Sequence, residues 1–450
     1  MWEYLPDVLL EQVFQLLTMK ERHIASQVCS NWFRIFNSHR VWSTIVCEDH
    51  TLSRRKYNYY LGYQLQLDHY RMHMYLSKFG RCIREIIITP MTNLFNLYEF
   101  MKMLTYFAEF FDENPLHSVH TFDFTFACHV VSDENKQQEY VFGTGGRMLL
   151  GLKNLLRCLS GLEKLSLREL LLEKNDAQYL LDDVLYNCCE TMRLLRIINC
   201  TKLPFPIFHV SCFVNLQTLI ITPQHLNDEV INQISCNTKL ANLWIIQTKY
   251  TEQCLPVSSK TWKECTKNSP DLNVHLVVTG KFKSEVIWQS NAPVKSIVYD
   301  TPYAAIKAES ILMAISLYGP HLEVYSFHGL PRYTSSKSFV NRGDVSLALL
   351  CRMCPRLRKL VIRERVSTAT LLLIAITATS LRELIVRRNA IIKRFDWKRE
   401  DDWSDSFYNW LKRSSTSYEN TFAEISKIFG REWKPLSDEC FKRIRPDVAF

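Results

Sequence analysis

The sequence Leu216-Gln-Thr-Leu219-Ile-Ile221 returns 24 residues later as Leu240-Ala-Asn-Leu243-Trp-Ile245. The last two apolar residues of each copy are two positions apart, which places their side chains on one face of a β-strand. A short strand pattern that returns at a fixed distance indicates a structural unit repeated along the chain. We therefore predict an array of repeats in the middle of the protein.

The same pattern, apolar-x-x-apolar-x-apolar, occurs along most of the chain. Further copies begin at Ile83, Val119, Leu162, Met192, Val294, Leu322, Leu357 and Leu381, with a degenerate copy at Leu272. From residue 192 the starting positions step by 24, 24, 32, 22, 28, 35 and 24 residues, within or near the roughly 20–29 residues of leucine-rich repeats. Helical patterns lie between the strands, at residues 227–234, 308–317 and 346–353. Alternating strands and helices of this kind form a solenoid with strands on its concave side.

The first fifty residues have a different pattern. Residues 5–17 read Leu-Pro-Asp-Val-Leu-Leu-Glu-Gln-Val-Phe-Gln-Leu-Leu, with apolar residues at helical spacing after a proline that suits a first helical turn. Some 45 residues are too few to bury all their apolar side chains alone. Periodicity leaves two alternatives open: an amphipathic cap on the larger domain, or an apolar face kept for a partner.

The order of residues resembles the F-box motif. Leu5-Pro6, the spaced aliphatic residues, Val28-Cys29-x-x-Trp32 and Val41-Trp42 follow the family pattern. Residues 19–23, Met-Lys-Glu-Arg-His, depart from it, because a proline and an acidic residue are usual there. This departure leaves the loop conformation open.

This resemblance implies a function. F-box domains bind a Skp-family adaptor through an apolar helical surface and so join a cullin–RING ubiquitin ligase as non-catalytic receptors of a protein substrate. Matched by position, the residues implied at this interface are Leu5, Pro6, Leu9, Val13, Phe14, Leu17, Val28 and Cys29. Trp32 and Trp42 are expected inside the module. Domain order, repeat irregularity and the C-terminal segment resemble the F-box only protein 33/39 group.

The predicted fold class is therefore α/β, with a three-helix F-box, an irregular leucine-rich-repeat solenoid and a helical C-terminal cap. We expect the F-box at residues 1–47, linker helices at 48–80, repeats at 81–390 and the cap at 391–450. Gly430 is expected to end a helix in the cap.

Positive charge is concentrated near the end of the repeats. Residues 352–399 contain 13 Lys or Arg and three acidic residues, a charge of +10, while the whole chain carries +9. A local excess of this kind favours a site for an anionic partner. It also supports a rival function, a nucleic-acid-binding repeat protein that uses residues 352–399, although the F-box resemblance makes nucleic acid the less favoured partner.

Residues that alternate with the repeat leucines should face the concave surface. The predicted substrate-binding residues are Lys164, Arg168, Trp244, Lys359, Arg363 and Arg387. Such a surface suits an acidic or phosphorylated protein segment, because guanidinium groups pair with carboxylates and phosphates. The alternative is that the arginines pair with tail acids such as Asp401, Asp402 and Asp405.

Motifs for catalysis, cofactors and metals are incomplete. Fifteen scattered cysteines form no recognisable disulfide or zinc pattern. Arg54-Arg55-Lys56-Tyr57-Asn-Tyr59-Tyr60 mixes cations and aromatic residues as nucleic-acid surfaces do, but its position favours a packed linker. We expect no catalytic residue, cofactor, metal or membrane span, and a location in the cytoplasm, the nucleus or both.

Overall fold

The computed structural model describes residues 5–60, 62–111, 113–126, 129–133, 138–251, 254–281, 283–333 and 336–446. The chain divides into two compact units. The first comprises residues 1–220 and 236–240, and the second comprises residues 221–235 and 241–450.

The first unit opens with three short helices. They are α1 (Asp7–Leu16), α2 (Met19–Ala25) and α3 (Ser30–Phe36), and a 3-10 turn follows at His39–Trp42. Thr18 caps α2 because its hydroxyl accepts from the Glu21 backbone N–H while the Glu21 carboxylate accepts from the Thr18 backbone N–H. This reciprocal capping box determines the conformation between α1 and α2, which the sequence had left open.

The remaining elements of the first unit alternate between strands and helices. They are β1 (Thr44–Cys47), β2 (Ser53–Asn58), β3 (Gly62–Leu67), α4 (His69–Phe79), β4 (Glu85–Ile88), α5 (Leu94–Phe110), β5 (Thr121–Thr125), β6 (His129–Asp133), β7 (Gln138–Phe142), α6 (Gly146–Cys158), β8 (Lys164–Arg168), α7 (Lys174–Ala177), α8 (Asp182–Cys188), β9 (Leu194–Ile198) and β10 (Thr218–Ile221). Strands β1, β4, β5, β8, β9 and β10 follow one another in a sheet whose registered pairs are parallel.

The second unit repeats this arrangement. Its elements are α9 (Asp228–Asn237), β11 (Asn242–Gln247), α10 (Ser259–Asn268), β12 (Asn273–Thr279), β13 (Val294–Asp300), α11 (Ala308–Tyr318), β14 (Val324–Phe327), α12 (Asp344–Met353), β15 (Lys359–Ile362), β16 (Val366–Ser367), α13 (Thr368–Thr377), β17 (Glu383–Val386), β18 (Ile391–Ile392), α14 (Asp405–Ser414), α15 (Tyr418–Phe429) and α16 (Asp438–Arg443). Strands β11 to β15 and then β17 pair in parallel in chain order.

The predicted α/β repeat fold is confirmed, since every copy of the apolar pattern carries one of these parallel strands. The pattern's apolar residues form the core: Leu165, Leu167, Leu219 and Leu360, for example, have no exposed surface. Asn227 caps α9, because its side chain accepts from the backbone N–H of Val230. Among the described residues, no helix is both long and apolar enough to cross a bilayer.

The stretch predicted as linker helices is different. Strands β2 and β3 form an antiparallel hairpin over residues 53–67. The α-helix of this stretch, α4, begins only at His69. Strand β1 was also missed: Trp42-x-x-Ile45-x-Cys47 has the spacing of the repeat pattern, but it overlaps the residues that resemble an F-box. It nevertheless pairs with β4 in parallel register.

The C-terminal end is helical, as predicted. Gly430 adopts φ +64°, a left-handed conformation that glycine tolerates, and ends α15. Beyond it, the backbone N–H of Leu436 donates to the carbonyl of Val386, and that of Arg388 donates to the carbonyl of Leu436. The main chain at Leu436 therefore covers the outer edge of β17 at the C-terminal end of that strand.

Candidate functional site

Helix α1 has one face in the core and one face in water. Leu10 and Phe14 are buried, whereas Leu9, Val13 and Leu16 are 47%, 38% and 87% exposed. Leu9, Val13 and Leu16 are four and three residues apart and therefore share one side of the helix. We call these three residues the apolar face of α1.

The buried side of the module is held by aromatic rings. Phe14 meets Trp32 edge to face at 5.8 Å between ring centroids. Trp42 is buried and stacks on Phe79 of α4 at 4.3 Å. Trp42 therefore links the three helices to α4, in addition to packing on Phe36 inside the module.

A buried arginine fixes the C-terminal end of α1. The Nε of Arg22 donates to the carbonyls of Phe14 and Leu17, while its two terminal nitrogens donate to Gln15 and Val41. These are carbonyls of a helix end and a neighbouring turn, and a cation there also interacts well with the helix dipole. Arg22 lies in the stretch that departs from the F-box pattern, and no periodicity in the sequence indicated its role.

The residues that the sequence assigned to an adaptor have three different environments. Pro6, Leu9, Val13 and Val28 are exposed, and Leu5, Leu17 and Cys29 are half-buried. Phe14 has no exposed surface, which corrects its assignment: it shapes the module from inside and cannot touch a partner. Sequence reasoning missed the exposed apolar residues Leu16, Ile24 and Phe33.

In the second unit, one row of strand residues contains two predicted substrate-binding residues. Trp244 is registered with His275, His275 with Ser296, Ser296 with Val324, Val324 with Lys359, and Lys359 with Glu383. Four strand spacings separate Trp244 from Lys359, roughly 19 Å. The two residues therefore lie on one face without forming a single contact site.

The aromatic end of this row is largely closed. Trp244 is 8% exposed, and its ring stacks on His275 at 3.9 Å. Burial, and to a smaller extent the charge of Lys295, lowers the pKa of His275 to about 4. Trp244 therefore offers little surface to a substrate, contrary to the prediction that it faces an open concave surface.

Arg363 lies in the interior of the second unit. Its side chain has no exposed surface, and its guanidinium donates to the carbonyls of Thr301 (2.6 Å), Ala304 and His328. This corrects the expectation that Arg363 faces an open surface. The guanidinium binds backbone oxygens of three different loop residues and so has a structural role.

Other cations in residues 352–399 have acidic partners. Arg387 donates to both carboxylate oxygens of Asp438, at 2.7 and 2.9 Å, and Lys359 lies 3.1 Å from Glu383. The tail acids Asp402 and Asp405 pair with Arg352 and Arg399. These pairs weaken the positive field that the region offers to a phosphate backbone, so the rival nucleic-acid function gains no support from them.

The strand face of the first unit carries an excess of positive charge. Lys164 is exposed, and the Nη2 of Arg168 donates to both oxygens of Asp123 at 2.9 Å. Arg196 approaches the same carboxylate to 4.0 Å, and burial lowers its pKa to about 10. The two arginines and Asp123 together carry one net positive charge. Neither Asp123 nor Arg196 was singled out by the repeat pattern.

Comparison with known proteins agrees with the N-terminal motif. The family described as F-box-like matches residues 2–48. No curated protein matches the sequence. A chain from the crystal structure of the yeast Rad7 and Elc1 complex is similar with a TM-score of 0.42 and 13% identity over 86% of this chain and 90% of that one. A chain of the TLR13–ssRNA13 complex has a TM-score of 0.27 and 12% identity over 68% of this chain and 46% of that one. The chain therefore has an F-box-like domain at its N-terminal end, followed by α/β repeats.

Proposed function

We propose that this protein is a non-catalytic substrate receptor of a Skp–cullin–F-box ubiquitin ligase. The observation that carries the proposal is the apolar face of α1, which lies exposed within the F-box-like residues. Exposed apolar residues on one helix face favour a protein partner. The partner in this proposal is a Skp-family adaptor. We also propose that the protein is related to the F-box only protein 33/39 group, which its sequence resembles.

The repeats would hold the substrate in this arrangement. Bound to the ligase, the receptor raises the concentration of substrate lysines near the ubiquitin-carrying enzyme, without chemistry of its own. An acidic or phosphorylated segment is the substrate class that we propose, because Lys164 is exposed and Arg168 is partly exposed on the strand face of the first unit. Arg363 is not part of this proposed surface.

The adaptor interface can be tested with residues that lie outside the core. The double variant Leu9→Asp, Val13→Asp should weaken adaptor binding by roughly a hundredfold or more, since it places two charges on the proposed interface. Co-purification of the full chain with a Skp-family adaptor, followed by titration, measures the effect. Leu255→Asp is a matched control, because Leu255 is 90% exposed outside the F-box-like residues. Undiminished adaptor binding by the folded double variant would overturn the proposal.

A further inference from the structure

The β2–β3 hairpin is an exposed cationic and aromatic element, not the packed linker that its position favoured. Tyr57 and Tyr63 face each other across the hairpin at 5.2 Å and are 61% and 78% exposed. Arg54, Arg55 and Lys56 are exposed as well. Residues 53–67 contain no acidic residue, so the hairpin carries a charge of +3.

The two outer edges of the hairpin differ. On the β3 side, the Leu65 carbonyl accepts from the side-chain amides of Asn93 and Asn96, and the Leu67 backbone N–H donates to Asn96. The N-terminal end of α5 therefore covers this edge. Among the described residues, β2 pairs with β3 alone, so no strand neighbours the opposite edge of β2, where the Arg71 side chain donates to the Ser53 carbonyl.

The register identifies the backbone groups on the open edge of β2. The Asp68 backbone N–H donates to the Leu52 carbonyl, and Arg54 is registered with Gln66. In an antiparallel pair, alternate residues turn their N–H and C=O groups inward, so residues 52, 54 and 56 face β3. The backbone groups of Arg55 and Tyr57 consequently point outward.

We propose that the open edge of β2 binds an extended acidic segment of a partner protein as an added strand. An open edge supplies main-chain hydrogen bonds at Arg55 and Tyr57, as in other cases of strand addition. Cations on an edge discourage pairing with neutral or basic strands, but they favour a strand that carries carboxylates. Tyrosine and arginine are also the side chains enriched in protein interfaces. This inference does not depend on adaptor binding.

The probe is a fluorescent peptide of alternating glutamate and valine, titrated against the full chain by anisotropy. We expect it to bind, and a lysine–valine peptide of the same length not to bind. Arg55→Glu with Lys56→Glu should weaken binding roughly tenfold or more. Lys263→Glu with Lys267→Glu is the matched control, because both lysines are exposed on α10, outside the hairpin.

A second pair of variants separates strand addition from simple charge attraction. Arg55→Pro and Arg55→Gln both remove the charge, but only proline removes the outward N–H, and edge strands tolerate proline at such positions. We expect Arg55→Pro to bind the acidic peptide several-fold more weakly than Arg55→Gln. Equal affinities would overturn the proposal, as would no binding of the peptide by the wild-type chain. Tighter binding of a single-stranded oligothymidylate at the same edge would also overturn it and point to nucleic acid.

Discussion

The F-box-like helices and the last repeats differ in where they place apolar and charged side chains. In α1, Leu9, Val13 and Leu16 are exposed. In the last repeats, Arg363 and Asp344 have no exposed surface. An exposed apolar side chain costs the isolated protein solubility and is useful when a partner covers it. A buried charge costs desolvation and persists only where hydrogen bonds compensate for it.

The buried charges of the last repeats are well compensated. Asp344 accepts from the Ser367 backbone N–H and hydroxyl, from the Thr370 hydroxyl and from the Nε of Arg342. A second nitrogen of Arg342 binds Asp396 at 2.6 Å. Charge density in a sequence therefore does not by itself identify a binding surface. In the last repeats, many of the charged side chains form hydrogen bonds and ion pairs that hold loops together.

The largest effect expected from this contrast is at Arg363. Arg363→Met should lower the free energy of unfolding by about 4 kcal/mol, because three buried carbonyls lose their donor. Urea denaturation followed by circular dichroism measures the change. Arg356→Met is the matched control at an exposed position and should leave stability nearly unchanged. A loss below about 1 kcal/mol would show that the hydrogen bonds of Arg363 do not stabilise the fold.

The two sides of α1 should respond differently to truncation. Phe14→Ala should cost about 3 kcal/mol of stability, since it removes a fully buried ring from contact with Trp32. Leu9→Ala should change stability by less than about 0.5 kcal/mol, because the side chain is half exposed. Thermal unfolding of the two single variants tests this difference. Equal losses would mean that Leu9 is covered by other parts of the chain.

His275 should make stability depend on pH. Its pKa in the folded protein is about 4, below its ordinary value of 6.5. As pH falls from about 6.5, the unfolded chain takes up the proton before the folded protein does, so stability falls by up to about 1.4 kcal/mol per pH unit. His275→Gln should flatten the stability profile between pH 6.5 and 4.5. An unaltered profile would contradict the burial of this ring.

The smallest expected effect is at Asp438. Asp438→Asn should cost about 1 kcal/mol at pH 7, because the carboxylate forms a partly exposed bidentate pair with Arg387. Arg387 holds the pKa of Asp438 below its ordinary value of 3.8. The contribution of this ion pair to the free energy of unfolding should therefore be complete above pH 3.8 and disappear as the pH falls further. Asp405→Asn, in an exposed pair with Arg399, should cost less.

The repeat strands could be predicted because their apolar pairs recur in sequence, and periodicity needs only local information. The role of Arg363 could not be predicted, because the carbonyls that accept its hydrogen bonds, at Thr301, Ala304 and His328, lie 35 to 62 residues away in the sequence. The open edge of β2 was missed for a related reason: Ser53–Asn58 lacks a buried apolar face.

Within α1, both sides of the helix are apolar, so the pattern alone could not show that Phe14 is inside and Leu9 outside. That division depends on where Trp32 packs. The family resemblance identified the module, but each residue's exposure had to come from the structure.

The pairing of Leu436 with the end of β17 limits where further repeats can be added to the sheet. A further repeat added after Val386 would have to pair where Leu436 already bonds to β17. Duplication of repeats should thus be tolerated between existing strands more readily than at this edge. Loss of residues 431–446 would instead leave an open parallel strand, which is a template for pairing between molecules. The segment after Gly430 therefore takes up hydrogen-bonding groups of β17 that would otherwise be open to another strand.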